Sequence, residues 1–203
     1  DPDRTSLNGT DTTPSERTLP PPEGRPLYRV NLNAHSGKSV CKASIDRGAD
    51  GGTVGNDSKV LARTGKYVDL WGVDDHKVDD LELVTAGAVV ETQTGPIIII
   101  MNQYARMANG KTIHSSGQME HHKVIVKDQA HAITGEVPYI QLHEGHRTPL
   151  CFINGLPYMK MRIPTAKELE TLPRVTVTSD APWDPRILDF DPPDEWFTNQ
   201  PKC

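Results

Sequence analysis

The chain has 203 residues and 22.4 kDa, enough for one ordinary domain, with 35% hydrophobic and 5% aromatic residues and a mean hydropathy of -0.53. Its 16 glycines and 17 prolines favour turns and short strands over long helices, and its longest apolar run, residues 97–101, is far below the ~20 residues of a membrane-spanning helix. Of the net charge of -5, the stretch from Asp180 to Cys203 carries six acids against two bases, or -4, so the remainder is near neutral and argues against nucleic-acid binding through a broad basic face.

Six prolines lie at or before Pro26 and five from Pro182 onward. Residues 1–35 are rich in Ser, Thr, Pro and Asp with few apolar groups to offset their ordering entropy, and read as a disordered linker in a segment of a longer chain. Cys41, Ala43 and Ile45 alternate with Lys42 and Ser44 as a half-buried strand running into Asp46. Val68/Leu70 and Leu81/Leu83 alternate in the same way. Residues 88–90 and 97–100 are β-branched apolar runs bounded by Gly87 and by Gly95-Pro96, which predicts short buried strands, with Gly87 as a hairpin residue or part of a flap. Asn109-Gly110 predicts a hairpin turn, and residues 124–126 and 175–178 predict further strands. Thr165 followed by Glu168 is a capping-box pattern for one short helix near 165–172. The acidic, Pro-rich C-terminal stretch carries Trp183, Ile187, Leu188, Phe190, Trp196 and Phe197, and reads either as a linker or as an extended segment that docks its aromatics on a partner. The pattern is all-β with disordered or extended N- and C-terminal arms.

The sharpest chemical signal is Ile45-Asp46-Arg47-Gly48-Ala49-Asp50-Gly51-Gly52-Thr53-Val54: an apolar strand ends in an aspartate, then a glycine turn, then a second apolar pair. Such a corner presents a carboxylate among backbone N–H groups. The string resembles the active-site loop of retropepsins, apolar-Asp-(Thr/Ser)-Gly-Ala. The wider run from about Lys42 to Asp184, including VTAGAVVETQTGPIIIIMNQYA, GKTIHSSGQME, PLCFINGLPYMKMRIPT and LPRVTVTSDAPWDP, is similar to polyproteins of Copia-type retrotransposons of algal, diatom-type genomes.

The resemblance implies a retropepsin-like closed barrel over residues 36–128 and, over 129–203, a partly extended connector towards integrase with an acidic end. It implies an aspartic endopeptidase that hydrolyses peptide bonds during polyprotein maturation in the cytoplasm, on a polypeptide substrate and without a cofactor. Two carboxylates must share a proton around one water. With one such loop per chain, the expected unit is a homodimer pairing two Asp46 side chains. Asp46 is the expected catalytic residue; Arg47, Gly48, Ala49 and Asp50 form its loop, Gly48 by allowing close backbone approach and Asp50 as a possible contact to substrate backbone. The resemblance also implies an apolar-apolar-Gly strand supporting the loop, for which residues 113–117 and 132–135 are candidates. Arg47 departs from the pattern: an arginine cannot replace a hydroxyl that both donates and accepts.

Other readings stay open. Arg47 suits a non-catalytic remnant or scaffold that keeps the fold, and a nucleic-acid-associated segment preceding integrase is opposed by the missing basic face. Asp46-Arg47-Gly48 alone fits an ordinary turn. His114, His121, His122, His131, His143 and His146 lack the companion motifs of a zinc site, and adjacent histidines on a strand point to opposite faces, so no metal is expected. Gly51-Gly52 and Gly55 lack the Gly-Lys-Ser/Thr ending of a phosphate loop. Cys41, Cys151 and Cys203 show no CxxC spacing, which argues against a disulfide framework and for a reducing compartment.

Overall fold

The computed structural model describes residues 27–29, 42–72 and 76–187. Their strands, in chain order, are β1 (Leu27–Arg29), β2 (Lys42–Asp46), β3 (Thr53–Val54), β4 (Lys59–Trp71), β5 (Lys77–Thr92), β6 (Gly95–Arg106), β7 (Ile113–Ser115), β8 (Ile125–Lys127), β9 (Tyr139–Gln141), β10 (Arg147–Ile153), β11 (Leu156–Arg162) and β12 (Arg174–Thr176). Three short helices interrupt them: α1 (Ser116–His121), α2 (His131–Thr134) and α3 (Ala166–Thr171). The all-β class expected from the sequence is what the backbone shows. No helix among the described residues is long and apolar enough to cross a membrane.

The long antiparallel ribbon β4–β5–β6 is the backbone of the fold. Beyond it the sheet continues through β3, β7, β2 and β11, and β11 then pairs with β5 through Met161↔Val90 and Arg162↔Val89. The pairings thus run β5–β6–β3–β7–β2–β11 and return to β5. Ala86, Ala88 and Val90 on β5 and Ile97, Ile99 and Met101 on β6 pack with Ala43, Ile45, Met159 and Met161 in one core. Val89 and Ile98, on the other face by alternation, are buried as well, which is why these strands read as continuous apolar runs.

Several expectations change. Leu27–Arg29, inside the stretch read as a linker, forms β1; the rest of residues 1–35 lies outside the described residues, as do Cys41, Cys203 and the aromatics beyond Ile187. The two apolar runs extend into strands of 16 and 12 residues, because cross-strand pairing carries through Gly87 and begins at Gly95. Gly87 is neither a turn nor a flap tip: it pairs with Lys59 and Ile100 in mid-strand, where a Cβ would meet the Leu61 side chain at 2.9 Å. Asn109-Gly110 turns the chain, but β6 and β7 do not pair with each other; β3 lies between them. The Asn-Gly hairpin is instead at Asn154-Gly155, with φ of 51° and 81°, joining β10 to β11. The capping box forms as expected: Thr165 Oγ1 accepts from Glu168 N at 3.2 Å and Thr165 N donates to Glu168 Oε2 at 2.8 Å.

The boundary expected at residue 128 does not separate two structures. β11 pairs with both β2 and β5, and β12 pairs in parallel with β6, so the segment read as a connector supplies strands to the same sheet. A chain ending at Asp128 loses both, and the pairing circuit opens with Ala43 and Val90 exposed. Such a chain is expected to show no cooperative thermal transition, where one ending at Ile187 melts in a single step, as followed by circular dichroism.

Candidate functional site

Asp46 is the last residue of β2, a strand whose centre (Ala43, Ser44, Ile45) is buried. Its carboxylate Oδ1 accepts the Gly48 N–H at 2.7 Å, so the chain turns tightly on the aspartate itself. β7 runs parallel beside it, with Ile45 opposite His114 and Asp46 opposite Ser115, and α1 begins at the next residue. Of the two candidate supporting strands, residues 113–117 therefore lie at the site, while 132–135 form the exposed end of α2.

The loop after Asp46 dives inward. Ala49, Gly51 and Gly52 are buried, and three of the loop's carbonyl and amide groups are met by side chains from later in the chain. Ser115 Oγ donates to the Ala49 carbonyl at 2.6 Å, Trp183 Nε1 donates to the Asp50 carbonyl at 2.7 Å, and the Gly52 N–H donates to Gln118 Oε1 at 2.9 Å. The glycines are required by two tyrosines: a Cβ on Gly51 would sit 2.3 Å from the Tyr28 ring, and one on Gly52 2.4 Å from the Tyr104 ring. Trp183, expected as a docking aromatic, docks on its own chain.

Asp46 and Gly48 line a groove of about 660 Å³ whose far wall is β8 with its following residues, α2, and the β10–β11 turn. Arg47 spans its rim. Its Nε contacts Asp128 Oδ2 at 2.8 Å, its Nη2 contacts Glu120 Oε1 at 3.0 Å, and Nη2 also donates to the Val126 carbonyl at 3.2 Å. Partial burial works against the charged guanidinium, but the Glu120 hydrogen bond and the Asp128 charge outweigh it and raise the Arg47 pKa. Arg47 is thus committed to α1 and β8 of its own chain.

The histidines do not converge. His122 and His143 meet edge to face at 4.9 Å, His146 Nδ1 faces Thr94 Oγ1 at 2.8 Å, and His121 packs on Trp183 at 5.4 Å. His121 and His122 end a helix rather than sharing a strand. Among the described residues no three His, Cys, Asp or Glu side chains gather as a metal cage. His114 is different: it is fully buried under the site, with Nδ1 at 3.0 Å from the Tyr104 hydroxyl and Nε2 without a partner. Neither Gln118 nor Tyr104 was singled out as a site residue. The spacing Ser115-x-x-Gln118, with a serine three residues ahead of a glutamine, was the available signal for α1.

No family model, curated protein or solved structure matches this chain. What fold and site define is an all-β domain with an open groove lined by Asp46, at the end of a buried strand, and by Asp128 and Glu136.

Desolvation pushes the His114 pKa from its ordinary 6.5 down to about 3. The unfolded imidazole takes a proton that the folded one refuses, so its contribution is complete above pH 6.5 and is lost as pH falls towards 3. The expected slope is about 1.4 kcal/mol per pH unit across that window. Urea midpoints measured between pH 6.5 and 5, where most carboxylates are still ionised, should fall for the wild type and fall less steeply for His114→Leu, the remaining slope including His122, whose pKa burial also lowers.

Proposed function

We propose that this chain is the aspartic endopeptidase segment of a Copia-type retrotransposon polyprotein, a retropepsin-like closed barrel that hydrolyses peptide bonds during maturation, in the cytoplasm, as a homodimer. The observation that carries this reading is the parallel pairing of β2 with β7, which sets Asp46 beside Ser115 with α1 starting at once behind it. It supplies the supporting strand that the resemblance implies, with Ile113-His114-Ser115 in place of an apolar-apolar-Gly sequence. The return of the sheet from β11 to β5 supports the closed barrel.

One chain offers one Asp46, so two chains assemble the dyad about a two-fold axis. Like charges at ~3 Å do not both ionise, and the pair holds one proton. The ionised carboxylate takes a proton from water as its oxygen attacks the peptide carbonyl carbon, and the protonated carboxyl gives its proton to the carbonyl oxygen. The gem-diol then collapses: the C–N bond breaks, the nitrogen takes the proton that the dyad gained from water, one diol hydroxyl returns its proton to the other carboxylate, and an acid and an amine leave with the dyad again holding one proton. Gly48 and Ala49 shape the loop, and Asp50 stands two residues beyond Gly48 as a contact for substrate backbone. No cofactor is needed for this chemistry.

Arg47 favours a second reading, a non-catalytic domain that keeps the fold, because it stands in the groove beside Asp46 where the resemblance has a small hydroxyl. Cleavage of a polyprotein-derived peptide library separates the two. A peptidase cleaves at a rate that Asp46→Asn lowers on the order of 10³-fold or more. A retained but inactive fold shows no cleavage in the wild type and gains it in Arg47→Ser. A folded dimer inactive in both forms overturns the endopeptidase reading.

A further inference from the structure

β1 is an unusual strand. It has three residues, stands at the end of the strand order, and pairs in parallel with the end of β4 through Leu27↔Asp69, Tyr28↔Leu70 and Arg29↔Trp71. Pro26, just before it, has no N–H to extend the pairing. Twelve residues, 30–41, separate it in sequence from β2.

Beyond that backbone pairing, the Tyr28 side chain anchors it in the domain. Tyr28 is fully buried among Val68, Leu83, Ala105 and Trp183, its ring lies on the bare backbone of Gly51, and its hydroxyl donates to the Gln103 carbonyl at 2.8 Å. The walls of this recess come from β4, β5, β6, the loop after Asp46 and the segment following β12. Without β1 they would form a slot with an open strand edge on one side, a flat ring-sized floor, and a single carbonyl acceptor at the depth of a phenol oxygen. Backbone pairing along an edge with a side-chain pocket beside it is how extended peptides are recognised. A buried aromatic anchor dominates such contacts.

We propose that the edge of β4 at Asp69–Trp71, together with this recess, is a docking site for an extended, tyrosine-bearing peptide, and that the chain's own Leu27–Arg29 fills it in cis. The site deepens the endopeptidase reading, since Asp50 and Gly51 belong to the loop of Asp46, but docking needs no hydrolysis and binding alone reads it. A labelled peptide of residues 24–33 (GRPLYRVNLN) is titrated onto the full chain. Wild type, whose site is filled, should bind at least tenfold more weakly than Tyr28→Ala, and the same peptide with its tyrosine changed to alanine should bind neither. Hydrogen exchange on the wild type guards against a variant that fails to fold: the β1 amides should exchange well before those of β5 and β6. Exchange of β1 only together with β5 and β6, or a folded Tyr28→Ala chain that takes no peptide, shows a permanent core strand and overturns the proposal. Absence of peptidase activity leaves these readouts unaffected.

Discussion

One hydroxyl joins the loop after Asp46 to the helix behind it. Ser115 Oγ donates to the buried Ala49 carbonyl and accepts the Gln118 N–H at 3.2 Å, so the same atom anchors the loop after Asp46 and caps α1. A hydroxyl has one donor and two acceptor sites, and here both functions are used by groups that water does not reach. Gln118, positioned by that cap, then receives the Gly52 N–H. Leaving the Ala49 carbonyl unpaired costs about 1–3 kcal/mol. The geometry of Asp46 thus depends on β7 and α1, some 70 residues later in the chain.

Around that point the core is polar where the loop passes and apolar elsewhere. Thr53, Gln103, His114, Ser116 and Gln118 are all buried near it, while β5, β6 and β11 supply Ile, Val, Ala and Met. The Tyr104 hydroxyl and His114 satisfy each other in part. The imidazole also replaces an aliphatic side chain of the pattern that the sequence resembles. Its cost appears in acid, as pH falls below the ordinary imidazole range and the unfolded chain takes the proton that the buried ring refuses.

Local chemistry was legible in the sequence and long-range closure was not. The alternation around Ile45, the turn at Asp46–Gly48 and the Thr165–Glu168 capping box follow from residues within five positions of one another. Gly87 misled because glycine in a run of β-branched residues signals a break. Here its bareness admits Leu61 from the neighbouring strand, a contact across 26 residues. Asn109-Gly110 turned without making a hairpin, since β3 arrives from 50 residues earlier to take the position between β6 and β7. The segment after residue 128 looked too poor in aromatics for a core of its own. It has none of its own: Met159, Met161 and Val175 complete the one formed by β2, β5 and β6.

Arg47 poses the sharpest electrostatic question. Half exposed, its bridges to Glu120 and Asp128 contribute little to stability in one chain, roughly 0–1 kcal/mol for such a pair. At the two-fold interface that the endopeptidase proposal requires, the balance would change. A bare guanidinium buried there carries a desolvation penalty of several kcal/mol, and two would repel across the axis. Arg47 does not enter bare: two carboxylates and a backbone carbonyl already occupy its fork, so its charge is locally compensated before any partner approaches. Removing the arginine alone exposes the opposite problem, because Glu120 and Asp128, the latter lining the groove of Asp46, then lose that counter-charge. Arg47→Ser therefore sets the restored hydroxyl against a more negative surrounding, since one positive charge is removed and two negative ones stay.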